Sequence, residues 1–397
     1  MKTPYIPTLT IADIFKEHIG SYLKEHNVNS EQHKVIRDIL SCQTSECGMH
    51  ARVCTDCGVI DYAFNSCRNR HCPNCQDAKK SQWIEERKKD LLPVTYFHLV
   101  FTIPQELNPI FLYNKETCYR MLFESVWKTI QHFSAHPKWL GAQAGCIALL
   151  HTWGQSLSFH PHIHCIMPGG GLTSDGFEWI HTRSNFFAPV NLLSEKFKDE
   201  LLKRLVQEKE KLKLPFIDTE FDKTLNGTRK INWVVFAQPS FTAPDYVIDY
   251  LGNYTHKIAI SNYRLIKIEN NLVYFKWKDY KDGSKMKVMH LPVFEFIRRF
   301  LEHVLPYNFY KIRHYGIFAN RFRSINIAHA KECLMNEGKV CEISNKKEDF
   351  KSQLPEGCPY MGRCIECGGA TISYYHYYNL VVMKEKYASI EILSQTG

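Results

Sequence analysis

The sequence predicts an α+β protein, because runs typical of β-strands alternate with longer segments that have helical spacing. Tyr96 to Ile103 is rich in β-branched and aromatic residues and ends at Pro104, which is typical of a strand. Asn114 to Phe133 carries apolar residues along one helical face. From Tyr96 onward the expected order is strand, helix, paired strands, helix, strand and helix.

Changes in composition divide the chain into three expected domains. Residues 1–92 combine two predicted helices with a block dense in cysteine, and a charged stretch ends that block before Pro93. Residues 93–264 hold the alternating strands and helices. Residues 265–397 begin with a hairpin pattern whose turn is Asn270-Asn271, and they continue into a basic, aromatic region.

The composition is that of an ordinary globular protein. The 397 residues are 44% hydrophobic and 23% charged, and 50 Lys and Arg against 41 Asp and Glu leave a net charge of +9. No apolar run approaches the length of a membrane span, and the N-terminus lacks the pattern of a secretory signal. We therefore expect a cytoplasmic protein without a membrane partner. In that compartment, 15 cysteines indicate metal binding rather than disulfides.

Three histidines alternate in the segment His160-Pro161-His162-Ile163-His164. The apolar residues around them and the glycines 169–171 that follow favour a strand. Alternate side chains of a strand point to the same face, so the three imidazoles would lie side by side. Two or three imidazoles on one face can bind a divalent cation that polarises a phosphate or a water. The alternative is a histidine-rich turn at the end of a hairpin.

The cysteine block predicts structural zinc. Cys54-x-x-Cys57 and Cys72-x-x-Cys75 are separated by 14 residues, which is close to the spacing of a four-cysteine zinc site. Four ligands close the coordination of zinc, so this domain is expected to be structural or DNA-contacting rather than catalytic. Further candidates for a second ion in the block are Cys42, Cys47, His50, Cys67 and His71.

Another cysteine motif lies late in the chain. Cys364-x-x-Cys367 is followed by two glycines and has Cys358 nearby, so it is a candidate for a third zinc site. Cys333 and Cys341 are more distant candidates for the same site.

Basic residues among aromatic ones indicate a nucleic-acid partner. From Phe296 to Arg323, six Lys or Arg residues are opposed by one acidic residue, and eight aromatic residues lie among them. Phosphates bind such cations and bases stack on such rings. The alternative is an amphipathic helix with a solvated basic face. The candidate DNA contacts are Arg68, Arg70, Arg313, Arg321 and Arg323.

Three tyrosines, Tyr246, Tyr250 and Tyr254, recur four residues apart and would share one helical face. Taken alone, this spacing is also that of a buried aromatic stripe. A phenol with a pKa of about 10 is a poor nucleophile at neutral pH. It becomes an effective one when a cation withdraws charge from the phosphate that it attacks.

Ordered motifs from about Leu40 to Gly369 resemble one known family. They are Asn65-Ser66-Cys67-Arg68-Asn69-Arg70-His71-Cys72-Pro73-Asn74-Cys75-Gln76, Phe97-His98-Leu99-Val100-Phe101-Thr102-Ile103-Pro104, His151-Thr152-Trp153-Gly154-Gln155, the histidine segment, Tyr250-Leu251-Gly252-Asn253-Tyr254, Ser261-Asn262, Arg313-His314-Tyr315-Gly316 and Ala319-Asn320-Arg321. In this order they resemble bacterial rolling-circle transposases of the His-hydrophobic-His (HUH) class with an N-terminal zinc-binding domain, the insertion sequence 91 family.

The resemblance implies an HUH nuclease core, which is an antiparallel, ferredoxin-like or RRM-like sheet with helices on one face. A small zinc-binding domain would precede this core, and a C-terminal DNA-binding region would follow it. The resemblance also implies Mg²⁺ or Mn²⁺ on a histidine pair plus a third polar ligand. The implied pair is His162 and His164, with Gln155 or His151 as the third ligand and with His160 and His98 as further candidates.

The implied reaction is metal-dependent cleavage and rejoining of single-stranded DNA at the ends of a mobile element. Tyr254 would attack the DNA and form a 5′-phosphotyrosine, and Tyr250 would serve a second strand transfer, as in the two-tyrosine branch of the family. Tyr246 lies outside that pattern and is assigned to packing. DNA presented single-stranded or as a hairpin, together with target DNA, would be the partner, and the protein would associate with the nucleoid.

Two other functions are alternatives to this one. The alternating histidines resemble the histidine triad of nucleotide hydrolases, but Pro161 and the cysteine block argue against that class. A non-catalytic zinc protein that binds DNA is the second alternative, and the intact histidine and tyrosine pairs argue against it.

Overall fold

The computed structural model describes residues 9–54, 57–75, 89–183, 187–214, 216–241, 259–280, 282–336 and 371–377. Helices and strands are mixed in them, which confirms the α+β class. The described helices are α1 (Ile11–Glu25), α2 (Ser30–Ser41), α3 (Asn108–Tyr113), α4 (Lys115–Ala135), α5 (Val190–Gln207), α6 (Asp218–Lys230), α7 (Val293–Glu302) and α8 (Arg323–Asn336). The described strands are β1 (Met49–Cys54), β2 (Ile60–Phe64), β3 (Tyr96–Thr102), β4 (Gln143–Trp153), β5 (Phe159–Pro168), β6 (Gly170–Leu172), β7 (Trp179–His181), β8 (Val235–Phe241), β9 (Leu265–Glu269), β10 (Leu272–Asp279), β11 (Lys285–Pro292), β12 (Ile312–Gly316) and β13 (Thr371–Tyr377).

Seven strands form an antiparallel sheet with the histidine strand in its interior. The strand order is β7-β6-β4-β5-β3-β8, and β12 also pairs with β4. Val100 of β3 and Leu149 of β4 lie on either side of His164 of β5. Because β5 is hydrogen-bonded along both edges, the direction in which each of its side chains points is set by the register of the sheet.

One face of this sheet packs against α4 and α5. Leu99 and Phe101 of β3 and Ile163 of β5 are fully buried on that face, where the ring of Phe101 meets the ring of Phe197 at 5.2 Å. Each such side chain stabilises the fold by about 1.5–3 kcal/mol through burial. Alternation along the strands sends the intervening residues, including the histidines, to the opposite face.

The opposite face of the sheet is divided into two parts. At one end Tyr96, Ile147 and Ile166 pack with Ile327 and Leu334 of α8 in a second apolar cluster. At the other end the same strands carry histidines. The helices therefore do not all lie on one face, and α8 covers the part of the second face next to the histidines.

The turn after β12 requires glycine. Gly316 has a φ of +59°, and a Cβ there would overlap the carbonyl oxygen of Ala144 on β4. Only a residue without a side chain lets the backbone of β12 approach β4 so closely while adopting a left-handed conformation. This explains the glycine in the motif that ends at this position.

The chain divides into two compact units. One combines Lys80–Ala259 with Leu305–Ser344 and holds the seven-stranded sheet, and the other combines Met1–Lys79, Ile260–Val304 and Asn345–Gly397. These bounds differ from the three consecutive domains expected from composition. The reason is pairing between distant segments, since β12 joins β4 and β13 joins β1.

The unit that contains the N-terminus has a helical core beside two small sheets. Phe15 of α1 meets Phe300 of α7 at 5.5 Å, and α7 also packs on β10, where the ring of Phe275 lies 5.7 Å from that of Phe296. The small sheets have the orders β13-β1-β2 and β11-β10-β9. Among the helices of the described residues, none combines the length and apolarity of a membrane span.

Candidate metal centres

Three histidines cluster on the sheet face opposite α4 and α5. His151 of β4 lies directly opposite His162 of β5, and His164 follows on the same face. One ring nitrogen of each residue lies within 4.8 Å of the other two. His151 is 4% exposed and His164 is 9% exposed. The structure thus brings the expected pair together with one of the two preferred candidates for a third ligand.

Hydrogen bonds at the Nδ1 atoms orient two of these rings. The Nδ1–H of His162 donates to the carbonyl oxygen of His160 at 2.6 Å. The Nδ1 of His164 lies 2.9 Å from the Nε2 of His98, a buried residue on β3. With Nδ1 engaged in both rings, Nε2 is the nitrogen that can face a cation.

Burial keeps two imidazoles of this site, those of His98 and His162, neutral at physiological pH. It lowers the pKa of His98 to about 4, and it lowers that of His162 to about 4 against the opposing effect of the hydrogen bond to His160. A neutral imidazole is the form that binds metal. Three such donors fit a divalent cation, and nitrogen donors suit a transition metal better than Mg²⁺. Of the two ions expected, Mn²⁺ therefore fits this donor set better.

Two other sequence candidates for this site, Gln155 and His160, lie close to it in the chain. Gln155 is half-buried in the turn that joins β4 to β5. His160 is exposed, and its ring lies 5.2 Å from the ring of His162. His160 is not one of the three histidines whose ring nitrogens converge in the described part of the chain, and Gln155 lies four residues after His151 in the chain.

Four cysteines of the other unit converge on one point. The sulfur atoms of Cys42, Cys67, Cys72 and Cys75 all lie within 4.8 Å of one another. The Sγ of Cys75 is 3.6 Å from that of Cys42 and 3.5 Å from that of Cys67. Tetrahedral zinc with Zn–S bonds of about 2.3 Å separates its sulfurs by about 3.8 Å. The four thiols therefore fit a closed zinc site.

The base of the β1–β2 hairpin assembles this site. Cys42 caps the C-terminus of α2, and the N–H of Gln43 donates to the carbonyl oxygen of Asn65 at 3.1 Å. This contact brings the chain before β1 next to the chain after β2, where Cys67 lies. Tight turns then bring Cys72 and Cys75 to the same point as Cys42 and Cys67. In one of these turns the N–H of Cys75 donates to the carbonyl oxygen of Cys72 at 3.2 Å.

The structure groups the two Cys-x-x-Cys motifs differently from the pairing that their spacing predicted. Cys72 and Cys75 meet Cys42 and Cys67, not Cys54 and Cys57. The physical reason is the geometry of the β1–β2 hairpin. Cys54 ends β1 and Cys57 lies in the turn to β2, whereas the four-cysteine group lies at the opposite end of the hairpin. Five strand residues at about 3.3 Å each separate the two ends by about 16 Å.

His50 and His71 do not join the four sulfurs in the described part of the chain. The Nδ1 of His50 lies 2.8 Å from the Oδ1 of Asn65, and the backbone N–H of His71 donates to the Oδ1 of Asn69 at 2.8 Å. Cys47 lies beside Ser41, with its Sγ 3.8 Å from the hydroxyl oxygen. Of the five further candidates in the block, Cys42 and Cys67 are thus placed in the four-cysteine group.

The four thiols perturb one another strongly. The pKa of Cys75 lies far below its usual value, because the thiols of Cys42, Cys67 and Cys72 hydrogen-bond to its sulfur. The pKa of Cys72 lies far above its usual value, because its neighbours favour the protonated form. One thiolate is stabilised by the surrounding S–H groups, whereas four thiolates at these distances require a cation.

Two parts of the chain match families of known proteins. Residues 14–103 match a family described as "Transposase zinc-binding domain", and residues 145–325 match a family described as "Putative transposase". The chain is 44% identical to "Putative transposase y4qJ" of Sinorhizobium fredii over 333 residues, which cover 82% of this chain and 84% of that protein.

The chain belongs to the insertion sequence 91 family of transposases. It is also 26% identical to "Transposase for insertion sequence element IS801" of Pseudomonas savastanoi over 75% of this chain and 73% of that protein. No solved structure is significantly similar to it. The four-cysteine group lies within the matched zinc-binding domain, and the three histidines lie within the matched transposase region.

The arginines selected from the transposase sequence lie in different surroundings. Arg68 and Arg321 are exposed, and Arg70 is half-buried near the zinc group. The guanidinium of Arg313 lies over the ring of Phe123 at 4.3 Å. Arg323 forms an ion pair, with its Nε 3.7 Å from a carboxylate oxygen of Asp90.

The predicted tyrosines of the transposase, Tyr246, Tyr250 and Tyr254, lie outside the described residues. So do four of the late cysteines, Cys341, Cys358, Cys364 and Cys367. Each of these residues therefore stays a prediction. The described chain approaches the tyrosine segment along β8, an edge strand that pairs with β3 and ends at Phe241.

Sequence reasoning missed one relationship in the histidine site of the transposase. It weighed His98 as a remote candidate for a metal ligand, yet the structure places its ring against the Nδ1 of His164. Only the pairing of β3 with β5, which sets Val100 opposite His164, brings these residues together. One feature of the sequence could have indicated this contact, namely a histidine within the largely apolar strand Tyr96–Thr102.

Proposed function

We propose that this transposase cuts and rejoins single-stranded DNA through a 5′-phosphotyrosine intermediate and so drives rolling-circle transposition. The observation that carries the proposal is the cluster of three converging imidazoles on β4 and β5. Such a cluster suits a divalent cation that acts on a phosphate. The family establishes a DNA-processing protein, and the histidine cluster supports the chemistry.

His151, His162 and His164 would hold Mn²⁺ or Mg²⁺, with Gln155 close enough in the chain to add an oxygen ligand. The bound ion would neutralise charge on the scissile phosphate. The imidazole of His162 keeps its lone pair at physiological pH, since burial lowers its pKa to about 4. His162 therefore does not have to lose a proton before it binds the ion.

Tyr254 is the proposed nucleophile, and Tyr250 is proposed to act in the second strand transfer. The phenolic oxygen forms a bond to phosphorus, the bond from phosphorus to the 3′-oxygen breaks, and the leaving oxygen takes up a proton as the phenol gives one up. The product is a 5′-phosphotyrosine with a free 3′-hydroxyl that can reverse the step. The position of β8 supports this assignment, because the tyrosine segment follows an edge strand of the histidine-bearing sheet.

The proposed DNA partner is the single-stranded or hairpin end of a mobile element, followed by target DNA. Arg68 and Arg321 are the first candidates for phosphate contacts, because both side chains are exposed. Tyr310 and Phe322 are exposed beside the basic region and can stack on bases. Binding to such DNA would associate the protein with the nucleoid.

Trapping of the covalent intermediate tests the proposal. The intact protein is incubated with labelled single-stranded element ends and Mn²⁺, and the adducted residue is mapped by mass spectrometry. Adduct formation is expected in the wild type and in Tyr246→Phe but not in Tyr254→Phe, which should still bind the DNA. Metal-independent DNA binding without any adduct would refute the proposed chemistry.

The proposed zinc content of the protein is two ions. The first is held by the four-cysteine group of the zinc-binding domain. We place the second on Cys54 and Cys57 together with Cys364 and Cys367. The N–H of Cys57 donates to the sulfur of Cys54 at 3.5 Å, and Gly58 has a φ of +73°, which is a turn suited to zinc.

Strand pairing supports this second zinc site. Thr371 lies opposite Cys54 in the antiparallel pairing of β13 with β1. Cys367 precedes Thr371 by four residues and therefore lies within about 14 Å of it along the chain. Elemental analysis should find two zinc ions in the wild type and one in Cys57→Ser, in Cys364→Ser and in the double variant. Cys358→Ser should retain both ions, and a double variant with no zinc would refute the shared site.

A further inference from the structure

We infer that His98 is a positioning residue of the histidine site, where it accepts a hydrogen bond from the Nδ1–H of His164 and so holds the Nε2 lone pair of His164 toward the cation. This inference rests on the proposed function, because it assumes that the three-histidine cluster binds a metal ion. It assigns His98 a role other than that of a metal ligand.

The two rings meet edge to edge. The Nε2 of His98 is 2.9 Å from the Nδ1 of His164, and the ring planes differ by 3°. The ring centroids are 5.2 Å apart, which exceeds the distance between the nitrogens by about two ring radii. The line between the nitrogens therefore runs through both rings, which is the geometry of an in-plane hydrogen bond and not that of stacking.

The direction of this hydrogen bond follows from metal binding. A histidine that binds a cation through Nε2 carries its proton on Nδ1, so the Nδ1 of His164 must donate. The Nε2 of His98 is then the acceptor, and the proton of His98 lies on its own Nδ1. Each neutral imidazole has one donor and one acceptor, so this assignment uses both rings consistently.

The surroundings of His98 favour a fixed, uncharged ring. The side chain is 8% exposed, and its ring lies edge-on to Phe236 of the neighbouring strand β8 at 5.9 Å. A hydrogen bond in such an environment is less weakened by water than one at the surface. The ring of His98 can therefore hold the ring of His164 in one orientation.

The two expected metal ligands of β5 are held by different acceptors. His162 donates to the carbonyl oxygen of His160 in its own strand, whereas His164 is paired with a side chain of the adjacent strand. A carbonyl oxygen cannot be removed by substitution, but the acceptor of His164 can. Loss of an orienting partner of this kind weakens metal binding by about 10- to 100-fold.

Two substitutions of His98 test its role as a hydrogen-bond acceptor separately from the volume of its ring. His98→Gln places an amide oxygen where Nε2 lies, and His98→Leu fills the space without an acceptor. Mn²⁺ affinity of the intact, zinc-loaded protein is measured by titration calorimetry. We expect the leucine variant to bind about 10- to 100-fold more weakly than the wild type and the glutamine variant to bind nearly as well. His303→Leu, a change at a buried histidine of the other unit, controls for general destabilisation.

Nitrogen NMR of the imidazoles gives a second, independent measurement. In the wild type without Mn²⁺, the expected proton positions are Nδ1 of His98 and Nδ1 of His164. A proton on Nε2 of His98 would overturn the inference, as would wild-type Mn²⁺ affinity in His98→Leu or equal weakening in both variants. None of these results depends on the tyrosines. A protein that binds Mn²⁺ as expected but forms no DNA adduct would contradict the proposed reaction and leave the role of His98 intact.

Discussion

His151 on β4 lies directly opposite His162 on β5, and this cross-strand pair completes the group of three imidazoles. Residues directly opposite each other in an antiparallel sheet have Cβ atoms about 4.5–5.5 Å apart, so two imidazoles can reach one cation. The loop between the strands contains Gln155, which the sequence offered as an equal candidate. The pairing favours His151.

The first prediction concerns this third ligand. His151→Ala should lower Mn²⁺ affinity by at least 10-fold, because it removes a nitrogen from the converging group, whereas Gln155→Ala should have a smaller effect. Calorimetric titration of both variants with Mn²⁺ measures the difference, and circular dichroism checks that the sheet is intact. A larger loss in Gln155→Ala than in His151→Ala would show that the glutamine is the third ligand.

The second prediction concerns the four-cysteine zinc site. Cys72→Ser should release zinc and lower the melting temperature of the protein, because structural zinc contributes directly to folding free energy. Cys47→Ser is the matched control, since its sulfur lies near Ser41 and outside the four-cysteine group. Zinc content and thermal unfolding are measured on the same samples. Equal zinc loss in both variants would contradict the assignment of ligands.

The third prediction concerns the pH dependence of stability. Burial lowers the pKa of His98 to about 4, against about 6.5 in an unfolded chain. Between these values the unfolded state binds more protons, so the unfolding free energy falls as the pH falls through this window. At pH 5.5 the loss from this residue is about 1 kcal/mol.

Urea unfolding at pH 7.5 and pH 5.5, without added Mn²⁺ or Mg²⁺, measures this effect. His98→Gln removes the titrating group while keeping a hydrogen-bond acceptor, so its stability should fall less over the same interval. The difference between wild type and variant should be about 1 kcal/mol. An identical pH dependence in the two proteins would show that His98 is not held neutral by the fold.

The fourth prediction separates two arginines that the sequence treated alike. Arg313 lies over Phe123 at 4.3 Å and over Phe309 at 5.2 Å, so Arg313→Ala should destabilise the protein by about 1–2 kcal/mol. Arg321 is exposed and lies over the ring of Phe322 at 5.0 Å, but that ring is itself exposed, so Arg321→Ala should cost less stability than Arg313→Ala and should weaken binding to single-stranded DNA. Removal of one phosphate contact should reduce the magnitude of the slope of log binding constant against log salt concentration by about 0.7. The opposite pattern in unfolding and DNA-binding assays would contradict the assignment.

The fifth prediction concerns the turn after β12. Gly316 and Gly176 both have a positive φ, but a Cβ at Gly316 overlaps the backbone of Ala144, whereas nothing lies within 4 Å of a Cβ at Gly176. Gly176→Ala should cost about 1–2 kcal/mol from the backbone conformation alone. Gly316→Ala should cost clearly more, because β12 must shift away from β4. Equal losses in denaturant unfolding would mean that the turn relaxes without disturbing the sheet.

Local structure followed from the sequence because its causes are local. The strand expected at Tyr96 is confirmed as β3, and the helix expected from Asn114 to Phe133 is confirmed as α4, Lys115–Ala135. The turn at Asn270-Asn271 is also confirmed, with φ of 49° and 59° in the left-handed region that asparagine tolerates. The alternation of the histidines set their common face in the same way.

Contacts between distant segments did not follow from local pattern. The spacing of Cys54, Cys57, Cys72 and Cys75 predicted one zinc site, but spacing carries no information on which end of a hairpin each pair occupies. The choice of His151 as the third histidine and the contact between His98 and His164 depend on strand order and register. These are properties of the whole sheet, in which the burial of one apolar face fixes how β3, β4 and β5 align. Residue types and periodicity thus specified the chemistry available to this chain, and packing of the sheet selected which residues share it.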